Sequence, residues 1–507
     1  MDLVTFPQKE KSLRLSYSEI KFYLVFSLVL SGLIYWLHSY LFEKNYAEEL
    51  FLFLGEKSQM AHGGASPDID NWLFVTPLIP YTLVLYLCSP YVALSLLSGF
   101  LWGGWLYSVR VLFKRRQITF GLALVLWAFL ALSPTSVWFF IEMPQLAFVY
   151  SAFVISLYAL RRYFFKNISS EFLVFALASA LVVQNNIPSF AVYLAYILPA
   201  ASVIWTLKKP PVPLILVIIF PTLFFIFAPM AMNGLLHSDF SLSGIIHYFP
   251  MLNVDLEAYE GSWIETGKFM LRLFWENGLY TLPFWIFWFR VPFHQHKGVY
   301  ISFLGAPLIF LGVKIYFGGY IPDLGTLILF PLFAILLLSA PFRVTLKKKA
   351  GFELILSVLF MGAILWDFQT LTNGAHKPDF YRALLGAPFA KHNISDEIAL
   401  AKILRASEGR VLTDERVTYK IIYLVDDPMR FVVPYQYRFE TVLSKPERFV
   451  KWVLVTEGFR QDRVLKTYPA AKFGELPGYR VAHQIGDFTL FERVEDPDLS
   501  TQMPQQE

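Results

Sequence analysis

Charge is scarce in this sequence. Asp, Glu, Lys and Arg make up 16% of its 507 residues and hydrophobic residues 56%, where soluble globular chains carry about 25% charged residues. That balance excludes an ordinary water-soluble protein. Cysteine is nearly absent: Cys88 is the only one, so no disulfide forms within the chain and the redox compartment cannot be read from it. A Walker-type glycine loop, a G-x-S-x-G elbow, a Cys/His metal cluster and an internal repeat are all missing, and the sequence grounds for those chemistries go with them. The formal net charge is +4, but Lys and Arg fall in short clusters between apolar runs. Such clusters mark membrane topology and argue against nucleic acid as a partner. No cleavable signal peptide is read, because the first apolar run follows about 20 mostly polar residues and is long enough to span.

What is present in abundance is long apolar sequence. A spanning helix needs about 20 mostly apolar residues, and eleven runs qualify, near 22–42, 92–109, 118–139, 146–160, 171–186, 189–207, 212–229, 278–290, 298–316, 324–342 and 351–367. The run 73–90 is interrupted by Pro77 and Pro80 and is read as interfacial or re-entrant, since prolines break helices. With the N-terminus inside, nineteen Lys and Arg residues fall in the inner segments 1–21, 110–117, 161–167, 208–209, 290–297 and 343–349. The outer loops hold only Lys44, Lys57, Lys268 and Arg272. This is a strong positive-inside bias. It predicts an integral inner-membrane protein with residues 1–21 cytoplasmic, a membrane domain over 22–367, and outer loops 43–91 and 230–277.

From about 368 the composition becomes that of a soluble unit. "DEIALAKILRAS" (396–407) has helical spacing behind an acidic first turn, while "RVLT", "RFVVPY", "KWVLVT", "YRVAHQI" and "DFTLFERV" read as short strands. The expectation is an extracytoplasmic α/β domain over 368–495, followed by a disordered tail at 496–507.

Candidate chemistry gathers on the outer side. Glu43, Glu48, Asp68 and Asp70 lie in the first long loop, and Glu142 lies in "FFIEMPQLAF". Carboxylates beside a membrane cavity serve as general bases, metal ligands or anchors for a cation. Asp68 and Asp70 form a D-x-D pair next to Pro67, able to hold a divalent metal ion if the backbone turns there. A solvated turn capping the next helix explains the same pair. Glu142 sits among aromatic residues near a membrane boundary, where a carboxylate is costly, although a snorkelling residue ahead of Pro144 is the plain alternative. Lys314 in "FLGVKIYFGGY" stands in the outer half of a span, placed either to neutralise a phosphate or to snorkel to the headgroups. The loop 43–72 is read as supplying a short helix in the headgroup layer.

The order of parts resembles the GT-C class of glycosyltransferases, a polytopic group that uses polyprenyl-phosphate-linked sugars and includes protein O-mannosyltransferases and aminoarabinose transferases. The resemblance is carried by the acidic, amphipathic "EKNYAEELFLFLGE" after the first span and by the interfacial stretch and span "TPLIPYTLVLYLCSPYVALSLLSGFLWG". The basic turn "FKRRQ", the outer acidic motif in "LALSPTSVWFFIEMPQLAF" and "LYALRR" follow in the same order. The usual first-loop acidic pair falls on Phe42 and Glu43, so its leading Asp is absent.

The resemblance implies an inverting transferase that moves a sugar from a polyprenyl phosphate to a lipid, glycan or protein acceptor on the outer face. It makes Glu43 the foremost candidate base, beside Glu48 and Glu142, with Asp68 and Asp70 as a metal pair and Lys314 on the donor phosphate. Two other classes stay open: a catalytically inactive assembly or envelope protein on the same scaffold, and a lipid or small-molecule transporter.

Overall fold

The computed structural model describes residues 17–63, 89–114, 119–144, 346–369, 377–390, 392–434, 438–457 and 462–494, with isolated further positions mostly between 147 and 271. Among the described residues the helices up to residue 369 with both ends described are α1 (Tyr17–Glu43), α2 (Glu49–Gly63), α3 (Pro90–Lys114), α4 (Phe120–Leu132), α5 (Pro134–Glu142) and α6 (Leu346–Gln369). Among the described residues, three helices are long and apolar enough to cross a membrane, or four if the bent pair α4–α5 is one crossing. Isolated helical positions fall within the runs 146–160, 171–186 and 212–229. The runs 189–207, 278–290, 298–316 and 324–342, the stretch 64–88, nearly all of loop 230–277 and the tail lie outside the described residues.

Small residues set the contact between α1 and α3. Gly99 and Gly103 lie one turn apart on α3, and a Cβ on either would collide with Ser31 or Ser27 of α1. Backbones that approach this closely gain dispersion and hydrogen bonding where lipid supplies no hydrophobic drive. Ser31 Oγ donates to Ser27 O at 2.8 Å, and Tyr23 donates across the interface to Phe100 O at 3.1 Å. The opposite side of α1 leaves Leu28, Val29 and Trp36 exposed, as a lipid-facing surface does.

The run 118–139, read from sequence as one continuous span, is two helices bent by 51°. Pro134 has no N–H and crowds the carbonyl four residues earlier, so the ladder stops at Leu132. The freed Leu130 carbonyl accepts from Trp102 Nε1 at 2.7 Å. Helix α6 braces both halves: Glu353 accepts from Thr119 N at 3.0 Å ahead of α4, and Asp367 accepts from Thr135 N at 2.7 Å and Thr135 Oγ1 at 2.6 Å at the start of α5.

Beyond α6 come α7 (Lys377–Leu384), α8 (Ser395–Ala406) and α9 (Glu415–Val425). A five-stranded sheet has the order β2-β1-β3-β5-β4, from β1 (Val411–Leu412), β2 (Phe431–Val432), β3 (Trp452–Thr456), β4 (Tyr479–Ile485) and β5 (Phe488–Arg493). Strand β1 runs parallel to β2 and β3, while β3–β5 and β5–β4 are antiparallel. Each stretch read as a strand from its apolar, β-branched composition contains one.

Helix α2 departs from the expected headgroup helix. Phe51, Leu52, Phe53 and Leu54 are all buried, in one core with Ile421 and Ile422 of α9 and with Leu454 and Leu490 of the sheet. Four successive apolar residues cover every side of a helix, and a helix apolar all round is buried, not laid flat on a surface. Gly55 allows the approach, since a Cβ there would strike the Tyr423 ring of α9.

Candidate functional site

The turn between α1 and α2 carries the first half of the site. Asn45 takes a left-handed conformation, φ 60°, which Asn tolerates better than most residues. It lets Tyr46 N reach back to Leu41 O at 3.0 Å. The chain then runs extended beside residues 392–394: Ala47 N donates to His392 O at 3.3 Å, Ile394 N donates to Asn45 O at 3.0 Å, and Tyr46 bridges antiparallel to Asn393. A short ladder from the far end of the sequence therefore fixes the direction in which Glu48 leads into α2.

The second half comes from α5, whose last residue is Glu142, 1% exposed. Tyr46 donates its hydroxyl to Glu142 Oε2 at 3.4 Å, and the carboxyl groups of Glu48 and Glu142 face one another. Burial pushes the Glu48 carboxyl well above the usual range, and the charges of Glu142 and Glu49 push the same way while Lys420 opposes them. Glu48 is thereby biased towards its neutral form, in which it can donate to Glu142. Burial first, and then the charges of Glu142 and Glu48, raise the Tyr46 hydroxyl as well; it stays a neutral donor.

Aromatic rings enclose the pair. Tyr46 stands against Phe380 of α7, Phe389 and His392, with ring centroids 6.3, 5.5 and 5.4 Å away, and Tyr91 of α3 packs on Phe51 at 5.6 Å. Below them His38 of α1 ties three helices together, with Nδ1 3.2 Å from Ser95 Oγ and Nε2 3.2 Å from Ile141 O. His392 Nδ1 faces Glu48 Oε2 at 3.6 Å. Glu48 Oε2, Glu142 Oε1 and the Tyr91 hydroxyl are buried without a hydrogen-bond partner among the described residues. Buried polar atoms are normally paired, so this cluster has the composition of a site that receives polar groups from a ligand or water.

Of the residues singled out from sequence, Glu48 and Glu142 are brought into direct contact. Glu43 ends α1 exposed and makes no hydrogen bond or ion pair among the described residues. Asp68, Asp70 and Lys314 lie outside the described residues, and among those that are described no group of three His, Cys, Asp or Glu side chains can hold a metal ion. Tyr46, Tyr91 and His392 were not singled out from sequence. Tyr46 lies within the acidic stretch and was legible there, whereas Tyr91 and His392 carry no local signal.

No family model and no curated protein matches the chain. Among solved structures it is similar to the crystal structure of ArnT from Cupriavidus metallidurans bound to undecaprenyl phosphate, at 12% identity and a TM-score of 0.49, over 94% of this chain and 98% of that one. A likeness of that size transfers neither activity nor ligand to this chain.

Proposed function

We propose that the chain is a GT-C-like glycosyltransferase of the inner membrane, taking a sugar from a polyprenyl-phosphate donor to an acceptor on the outer face, with Glu48 and Glu142 as its proton-handling pair. One observation carries this reading: two carboxyl groups from distant segments face one another in a buried aromatic enclosure, each with an oxygen that has no hydrogen-bond partner among the described residues. The order of acidic, interfacial and basic segments agrees with it.

In the reaction, the acceptor oxygen attacks the anomeric carbon as the bond from that carbon to the phosphate oxygen breaks. The polyprenyl phosphate leaves with the electron pair, and the sugar is inverted. The acceptor's hydroxyl proton passes to the Glu142 carboxylate, which Tyr46 and Glu48 hold in place by donating to it. A proton acceptor positioned in this way contributes about 10²–10⁴-fold. Lys314 is the proposed partner of the leaving phosphate, and any divalent ion would rest on Asp68 and Asp70; no step above requires one.

A second reading, a non-catalytic scaffold, is favoured by the depth of Glu142 and by Phe42 standing where the resembling enzymes carry an acid. Sugar consumption from polyprenyl-phosphate donors by the full chain in lipid nanodiscs separates the two. Glu48→Gln and Glu142→Gln should each lower turnover about 10²–10⁴-fold with folding retained. Wild-type turnover in both would remove the pair from the chemistry, and a wild-type chain that consumes no donor would favour the scaffold.

A further inference from the structure

His392 touches the carboxyl pair from a part of the chain that no motif reaches. Its side chain is buried, 4% exposed, with Nδ1 3.6 Å from Glu48 Oε2. Its backbone carbonyl is the acceptor for Ala47 N, so the imidazole and Glu48 hang from the two sides of one ladder. The ring stands 5.4 Å from that of Tyr46, the residue that donates to Glu142. A distance of 3.6 Å is beyond a hydrogen bond, but a small side-chain rotation closes it.

We propose that His392 is a positioning residue for Glu48: once Glu142 has taken the acceptor's proton the pair holds one proton in excess, Glu48 releases its own to water, and His392 turns onto the ionised Glu48 carboxyl while the proton on Glu142 becomes the one the pair keeps. The proposal rests on the reading of Glu48 and Glu142 as the proton-handling pair. At rest Glu48 is set by burial and by the groups facing it from each neighbouring element: Glu142 at the end of α5, Glu49 of α2, and Lys420 and Tyr419 of α9, with Tyr46 bonded to Glu142. Lys420 is already engaged, 3.2 Å from Glu49 and 3.7 Å from Glu397. Charge developing on Glu48 is met at longer range by Lys420 and, at Oε2, faces His392, whose ring is within a rotation of it and whose backbone is tied to the same ladder.

The test uses dicyclohexylcarbodiimide, an apolar reagent that modifies protonated buried carboxyl groups, on the full chain in nanodiscs, with Glu48 labelling read by peptide mass spectrometry across pH. Losing a donor that stabilises the ionised form leaves Glu48 protonated to higher pH. His392→Ala should therefore move the labelling midpoint up by about one pH unit, whereas His392→Asn, which keeps an N–H near the Nδ1 position, should recover at least half of that shift. A purely structural role predicts faster labelling at every pH with an unmoved midpoint, and Asn no better than Ala; either result overturns the proposal. Thermal unfolding confirms that the variants are folded. In the transfer assay His392→Ala should lower kcat about 10-fold or more with KM for the lipid donor nearly unchanged. If the wild-type chain transfers no sugar, the labelling midpoints still decide the role of His392, so the two readings fail separately.

Discussion

Two junctions of this molecule solve opposite problems. Where α1 meets α3, side chains are reduced to Ser27, Ser31, Gly99 and Gly103, and backbones nearly touch. Where α2 meets α9, Phe51, Leu52 and Leu54 are buried against Ile421 and Ile422, and the same interface buries Glu56, Lys57 and Glu415. Close approach without charge is the solution open to helices in lipid. Apolar burial on the scale of the second junction, at about 1.5–3 kcal/mol for each large side chain, can carry ionisable groups that would otherwise be prohibitive. Lys57 Nζ lies 3.0 Å from Glu56 Oε2 with both side chains nearly inaccessible, and the Glu415 oxygens have no hydrogen-bond donor among the described residues.

The largest expected effect breaks the charged junction. Lys57→Met leaves two buried carboxyl groups without their cation, and removing one member of a buried pair costs about 3–5 kcal/mol. At pH 8 the variant should lose that much in denaturant unfolding and at pH 5, where both carboxyls can protonate, clearly less; equal losses would show that Lys57 is solvated.

Next comes pH itself. Burial raises Glu56 and raises Glu415 to about 7. A carboxyl whose value is raised on folding binds its proton more tightly in the folded chain. Its stabilisation is therefore complete below about pH 4.5 and is lost as pH climbs towards 7, a change of at most about 3 kcal/mol. Melting temperature should fall from pH 5 to pH 8 in the wild type, and Glu415→Gln should flatten the slope.

Gly99→Ala tests the uncharged junction. Its methyl group meets the Ser31 side chain and backbone, and overpacking costs about 1–3 kcal/mol. That loss should be independent of pH, in contrast to the two above. The smallest effect belongs to Gln59→Ala, which removes bonds to Tyr423 O at 3.2 Å and Asp426 Oδ1 at 2.7 Å at the exposed rim of α2; about 0.5–1.5 kcal/mol in the same unfolding assay is expected.

These contrasts also explain what was legible from sequence. Strands β3 and β5 announce themselves because their apolar, β-branched runs are bounded by turns. The close α1–α3 contact was written in "GFLWG", a small-residue spacing. The break at Pro134 was equally open to reading, yet its apolar flanks let a single span be drawn through it. Helix α2 is harder: "LFLFL" says that it is buried but not by what, because the covering surface comes from residues several hundred positions later. Glu48 and Glu142 were visible one by one as carboxylates in costly places, while their meeting, with Glu43 left exposed, depends on a turn and a ladder that no local pattern encodes. His392 is one imidazole in a polar stretch, and its contact with Glu48 exists only in three dimensions.

The bridge between Tyr46 and Asn393 also imposes an order in time. A ribosome adding about 5–20 residues per second leaves roughly 20–70 seconds between the two halves of that ladder. Throughout the interval α2 is finished but has no α9 to rest on, and its apolar sides must shelter against lipid or a chaperone. A chain truncated before residue 393 would keep it in that state, so surveillance proteases would meet not a half-built fold but an exposed, sticky helix.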